Sequence, residues 1–199
     1  SFFRDIHPFE TLKKEIFPEL MEKRKIQKEL NIWCGASSSG QEPYSLVMLL
    51  KNNFPQLNTW KLNFSASDIS NQMLNRCRSG IYSQLEVNRG LPAPLMVKYF
   101  ERIGTEWQVK EELRKMIEFR IINLSDRWPL MPKLDLVMMR NVLIYFDVEM
   151  KKKILGQVRQ LLRPDGYLFL GAAETTLNLD ENFERMPFKQ SGCYRLKQG

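Results

Sequence analysis

Apolar residues recur at helical spacing over residues 5–30, where Ile6, Phe9, Leu12, Ile16, Phe17, Leu20 and Met21 stand among Lys and Glu. Pro18 inside that run predicts a kink or a break into two helices. Leu30-Asn31-Ile32-Trp33 then reads as a short strand, and the small residues Gly35 to Gly40 as the loop that leaves it. The run Ser45 to Leu50 is strongly apolar and helical, with Pro43 at its start and Asn52-Asn53 at its end. A second strand, Leu62 to Ser67, closes on Asp68, and a helix follows from about Ser70 to Ser79-Gly80 with Met73, Leu74 and Cys77 on one face.

Residues 81–118 are less regular, and Trp107-Gln108-Val109 suggests a small β-excursion there. Phe119 to Leu124 and Leu134 to Met139 read as strands, the second apolar enough to be buried on both faces. The sharpest helical pattern is 147–163, with Asp147 as N-cap and Met150, Ile154, Leu155, Val158, Leu161 and Leu162 on one side. Pro164-Asp165-Gly166 predicts a turn, Tyr167 to Gly171 a fifth strand, and Cys193 to Leu196 a closing edge strand.

Strands alternate with helices through connections too long for hairpins. The fold class is therefore α/β, with a mainly parallel sheet covered by helices on both faces. In such sheets ligands bind beyond the carboxyl ends of the strands, where strand order reverses. That rule points to Gly35–Gly40, Asp68, Asn123 and Arg140–Tyr145.

Composition narrows the class. A chain of 199 residues, 43% hydrophobic and 27% charged, suits one globular domain. No apolar run approaches the ~20 residues of a membrane span. Ser1-Phe2-Phe3-Arg4 opens in mid-motif and directly into a charged amphipathic stretch instead of a signal peptide, so a piece of a longer protein is expected. Cys34, Cys77 and Cys193 form no CxxC pair and make a poor metal set with the one histidine, His7; reduced thiols and no metal are expected. The net charge of +7 favours an acidic partner without deciding between nucleic acid and protein.

The first-strand loop is neither GxGxxG nor a P-loop, so a dinucleotide or nucleoside triphosphate is a weak reading. Small residues with a carboxylate just beyond, Glu42, suit a ligand that carries an ammonium group. Asp68, 28 residues past Gly40, can accept two hydrogen bonds from a ribose diol, or cap the next helix together with Ser70. Arg140-Asn141 follows a fully apolar strand, and Tyr145-Phe146 sits close behind. Tyr145 can pack on the rim of the sheet or offer its hydroxyl to a substrate.

Several motifs occur in one order: Phe2-Phe3-Arg4, Trp33 to Ser45 with Gly40-Gln41-Glu42-Pro43-Tyr44-Ser45, Ala66-Ser67-Asp68-Ile69 and Ser79-Gly80-Ile81-Tyr82. Asn123-Leu124, Arg140 to Phe146 and Leu170-Gly171-x-x-Glu174 complete the series. Together they resemble the CheR-type chemotaxis-receptor methyltransferases over nearly the whole chain.

The resemblance implies a Rossmann-like S-adenosylmethionine-dependent methyltransferase fold, with residues 81–118 as a small inserted antiparallel subdomain. The family's separate helical N-terminal domain has no counterpart in these residues. It implies that Arg4, Ala36, Glu42, Asp68, Asn123, Leu124, Arg140 and Asn141 line the S-adenosylmethionine site. Glu42 would hold the methionyl amino group and Asp68 the ribose, with Arg4 and Tyr145 nearest the transferred methyl. Two positions depart from the family pattern: Gln41 replaces an acidic residue and Ser39 a threonine. Because Glu42 is retained, cofactor binding is expected to persist.

The implied reaction moves the sulfonium methyl to a receptor glutamate, giving a methyl ester and S-adenosylhomocysteine in the cytoplasm. A glutamate with a pKa of ~4.3 is already ionised at neutral pH, so no general base is needed. Alignment and exclusion of water would supply the rate, with Arg4 orienting the carboxylate. The partner would be the cytoplasmic helical region of the receptors. Members that tether to a receptor's C-terminal pentapeptide carry a longer Gly-rich loop than Arg102 to Trp107, so pentapeptide-independent action is expected. Competing readings are a nucleic-acid methyltransferase, a non-catalytic S-adenosylmethionine sensor and a docking module. The first lacks the [DN]PP[YF] tetrad.

Overall fold

The computed structural model describes all 199 residues. The N-terminal helical run is α1 (Ile6–Thr11), a π-turn (Leu12–Ile16) and α2 (Phe17–Lys23). It ends at Lys23, short of the expected residue 30, and Pro18 does not break it. The N–H of Phe17 reaches back five residues to the Leu12 carbonyl. This wide turn puts Pro18, which has no N–H to donate, into the first turn of α2, where helices tolerate it.

Two α/β units follow: β1 (Glu29–Cys34) with α3 (Gln41–Asn53), then β2 (Lys61–Asp68) with α4 (Asn71–Ser79). Between them and the rest of the main sheet lie β3 (Ile81–Ser83), α5 (Gln84–Val87), α6 (Ala93–Tyr99), β4 (Phe100–Ile103), β5 (Glu106–Val109) and α7 (Glu111–Arg114). The small strands pair antiparallel in the order β3-β5-β4, so the irregular stretch holds a three-stranded antiparallel sheet, as the expected small antiparallel insertion requires. The chain returns through β6 (Ile117–Ile121), β7 (Leu134–Met138), α8 (Val148–Leu161), β8 (Leu162–Phe169), β9 (Phe183–Arg185) and β10 (Cys193–Leu196).

The main sheet has seven strands in the order β6-β2-β1-β7-β8-β10-β9. Pairing is parallel from β6 through β8 and antiparallel for β10 and β9. Strand β1 sits between β2 and β7, so its carboxyl end is where the strand order reverses. The period-2 alternation of the buried strands divides two cores. Ile32, Cys34, Leu136 and Met138 face a cluster with Phe9, Leu12, Ile16 and Leu46 from α1 to α3. Trp33, Val137 and Met139 face Ile154, Leu155 and Val158 of α8. Both faces are covered, which is why the β7 run carries no exposed residue. No helix is long and apolar enough to cross a membrane.

Three expectations need correction. Pro164-Asp165-Gly166 is not a turn but the bulged start of β8, where the register against β7 shifts. A Cβ on Gly166 would lie 2.9 Å from the Leu134 carbonyl oxygen, so glycine permits the close approach that makes this segment strand. Asp165 is held there by two bonds from Arg24 (2.9 and 2.6 Å), while Arg24 Nε donates to the fully buried Asp135 at 2.8 Å. Cys193–Leu196 is not the edge strand, because β9 pairs outside it. The strand expected at 119–124 is β6 at 117–121, which frees Ile122 to Leu124 from the ladder to line a cavity.

Candidate functional site

The loops at the carboxyl ends of β1, β2, β6 and β7 enclose one cleft. Its larger part, about 450 Å³, is lined by Ser1, Arg4, residues 36–39, Gln41, Glu42, Asp68, Ile69, Arg140, Asn141, Val142 and Tyr145. A smaller part, about 160 Å³, adds Ile122, Asn123, Leu124, Ser125 and Phe146, and shares Ala36, Asp68, Ile69 and Val142 with the first. The nine residues expected at the site, Arg4, Ala36, Glu42, Asp68, Asn123, Leu124, Arg140, Asn141 and Tyr145, all line one part or the other.

The floor is the loop after β1. Gly35 N–H donates to the Met138 carbonyl at 2.8 Å and Ser37 N–H to the Ser67 carbonyl at 2.7 Å, tying the loop to both neighbouring strand ends. Ala36 and Ser38 adopt left-handed backbone (φ 54° and 50°), which small residues tolerate best. Gly40 opens α3 at φ 93°, and a Cβ there would stand 2.9 Å from Tyr82 Oη and 3.0 Å from Cys77 Sγ. Tyr82, from β3, donates its hydroxyl to the Ser39 carbonyl at 2.6 Å, so the small sheet braces the loop. The two departures from the family pattern touch each other: the Ser39 hydroxyl donates to Gln41 Oε1.

Glu42 sits in the first turn of α3, its side chain 22% exposed. Burial pushes its carboxyl above the ordinary carboxylate range, against the opposing pull of Arg140 and, more weakly, of Arg4. Arg140 Nη1 donates to Glu42 Oε2 at 2.8 Å, and Nη2 donates to the Arg4 carbonyl at 3.0 Å and to Asp5 Oδ2 at 2.8 Å. Its side chain is only 1% exposed, and Nε has no partner. Sequence reasoning missed Asp5, which no spacing marks. Phe3 and Asp5 both have positive φ (46° and 58°), and the strap from Ser1 to Asp5 is held over the cleft by Arg140 and by the Phe3 N–H to Ser45 Oγ bond (2.9 Å).

Asp68 ties the loop after β1 to the start of α4. Its Oδ1 accepts from Ser70 N–H at 2.9 Å and its Oδ2 from Ser38 N–H at 2.8 Å, while Ser70 itself caps α4 by accepting from Met73 N–H. Each oxygen keeps a lone pair, and the residue borders both parts of the cleft. Ile69, 67% exposed, Val142 and Phe146, which stand in the motifs of the sequence without an assigned role, supply apolar walls on the Asn123 side. Tyr145 is 79% exposed at the rim of the Arg4 side. All three cysteines are buried and free.

The lining fits a group with a cationic amine, a ribose and a flat heterocycle in that order. Glu42 offers a carboxylate on the Arg4 side of the cleft, and Asp68 two oxygens with acceptor capacity left. The narrow part beside Asn123 is walled mainly by apolar groups. The unpartnered buried Nε of Arg140 leaves a donor for an anionic oxygen.

The family model described as CheR methyltransferase, SAM binding domain matches residues 1–191. Over 201 residues the chain is 41% identical to chemotaxis protein methyltransferase 1 of Pseudomonas aeruginosa, covering 98% of this chain and 73% of that protein. It is 40% identical over 200 residues to the chemotaxis protein methyltransferase of Vibrio parahaemolyticus, covering 98% and 71%. The chain therefore belongs to the CheR methyltransferase family, as an S-adenosylmethionine-dependent methyltransferase domain of chemotaxis that yields S-adenosylhomocysteine.

Proposed function

We propose that this domain esterifies glutamate side chains in the cytoplasmic helical region of chemotaxis receptors. The observation that carries the reading is the convergence of nine residues from five chain segments on one cleft. Glu42 would hold the methionyl amine, Asp68 the ribose, and Asn123 and Leu124 the adenine, with Ala36, Arg140 and Asn141 completing the wall. Bound S-adenosylmethionine supplies a sulfonium methyl to the incoming carboxylate, leaving a methyl ester and S-adenosylhomocysteine.

Arg4 and Tyr145 share the open end of the cleft, where an incoming carboxylate would meet a guanidinium and a phenol. A carboxylate of pKa ~4.3 arrives ionised, so these groups orient it and exclude water without removing a proton. Neither the proposed substrate nor this lining calls for a nucleic acid. The three-stranded sheet within 81–118 would form an inserted subdomain. Only Gly104-Thr105 joins β4 to β5, which supports action without a tethering pentapeptide.

Titration with S-adenosylhomocysteine should show one site, and labelled methyl should pass to receptor fragments as base-labile esters. Binding without transfer would favour a sensor, and no binding would remove the cofactor assignments altogether.

A further inference from the structure

Glu174 is 9% exposed, stands in no salt bridge to a cation, and spends its carboxylate on the backbone. Its Oε2 accepts from Asn141 N–H at 2.8 Å and from Gly171 N–H at 2.7 Å. Its Oε1 accepts from Val142 N–H at 2.8 Å and from Ile144 N–H at 3.3 Å. One side chain thus satisfies successive donors of the segment that carries Asn141, Val142 and Tyr145, three cleft-lining residues. Asn141 holds φ 60°, the left-handed region that asparagine enters more readily than most residues.

The anchor itself is built tightly. Glu174 N–H donates to the Gly171 carbonyl at 3.0 Å, closing a turn directly after β8. A Cβ on Gly171 would lie 2.5 Å from Asn141 Nδ2 and 2.9 Å from Glu174 Oε2, so any larger residue here would have to displace the Asn141 amide or the Glu174 carboxylate. The spacing Leu170-Gly171-x-x-Glu174 therefore has a physical cause: the glycine makes room for the Asn141 side chain, and the glutamate three residues on clamps its backbone.

Resting on the methyl-transfer reading above, we infer that Glu174 is a positioning residue for this reaction, acting through the 141–145 segment. Held charge against fixed amides is preorganised, so the segment meets cofactor and substrate without reordering. An amide in place of the carboxylate turns an NH₂ group toward backbone donors and breaks the clamp on one side.

The test combines amide hydrogen exchange with turnover in Glu174→Gln. Amides of residues 141, 142, 144 and 171 should exchange at least about tenfold faster, while β7 and β1 keep their wild-type rates. At saturating cofactor, turnover should fall about tenfold or more, and this loss should shrink below about twofold when the change is made in a Tyr145→Phe background. Losses that multiply in the double variant would overturn the inference, as would exchange that rises uniformly across the sheet or stays at wild-type rates. Glu174→Asp, one methylene shorter, should recover part of the protection and serves the same comparison should Glu174→Gln not fold. Absent wild-type turnover would count against the proposed function alone, and the exchange rates would still decide the clamp.

Discussion

Arg140 Nη1 lies 2.8 Å from Glu42 Oε2, joining residues 98 positions apart in the chain. The same guanidinium holds Asp5 at 2.8 Å, so one buried cation fastens the β7 loop, the start of α3 and the N-terminal strap together. Removing it leaves Glu42 recessed without its cation. Arg140→Met should cost about 3 kcal/mol in urea unfolding, less than for a fully dry pair because Glu42 keeps some solvent. It should also free the strap for proteolysis ahead of global unfolding. A change within about 0.5 kcal/mol would mean the network is screened.

Glu42 gives the cofactor site a pH dependence of definite sign. Burial raises its carboxyl above the ordinary range, so its charge is lost as pH falls through values above ~4.3. S-adenosylhomocysteine affinity should weaken over that window, because the amine loses its anion. In Glu42→Gln the affinity should be weak at neutral pH and nearly flat across the same window. Wild-type affinity that holds down to ordinary carboxylate pH would assign the amine elsewhere.

The two tasks of Asp68 can be separated. Asp68→Ala should lower S-adenosylhomocysteine affinity roughly 10–100-fold, the worth of charged hydrogen bonds to a diol. Ser70→Ala should remove the α4 cap, costing about 1 kcal/mol of stability with affinity unchanged. Calorimetry and thermal melts read the two effects independently. Equal affinity losses in both variants would reduce Asp68 to a turn former.

At the opposite end of the sheet, Arg24 holds Asp165 through two hydrogen bonds and keeps its carboxyl below the ordinary range. A lowered folded-state pKa contributes stability above the unfolded value, and this is lost as pH falls through the folded one. Asp165→Asn should therefore cost about 1 kcal/mol at pH 7, a figure held down by solvent screening of a partly exposed carboxylate. The wild-type and variant stabilities should converge below about pH 4. A gap that stays constant with pH would point to packing instead.

Periodicity and apolar runs were enough to place the strands and helices that bracket the cleft. Trp33, Val137 and Ile154 are buried for reasons written in local spacing, and Asp147 caps α8 as its position suggests. What stayed hidden depended on distant partners. Asp165 reads as part of a turn until Arg24, 141 positions away, holds it in a strand. Asp5 looks like any exposed acid until Arg140 folds against it. Glu174 belongs to the Leu170-Gly171-x-x-Glu174 motif, but its four acceptor bonds exist only once β7 and β8 lie side by side. Strand β9, with three residues, is too short for alternation to mark.

The most direct test of the account pairs two readings on one variant, Tyr145→Phe. The change removes only a rim hydroxyl, so S-adenosylhomocysteine affinity should stay within about twofold of wild type. Transfer of labelled methyl to receptor glutamates, scored as base-labile ester, should fall about tenfold or more. Equal losses in affinity and transfer would make Tyr145 a cofactor-binding residue, and undiminished transfer would contradict the placement of the reacting carboxylate at this end of the cleft.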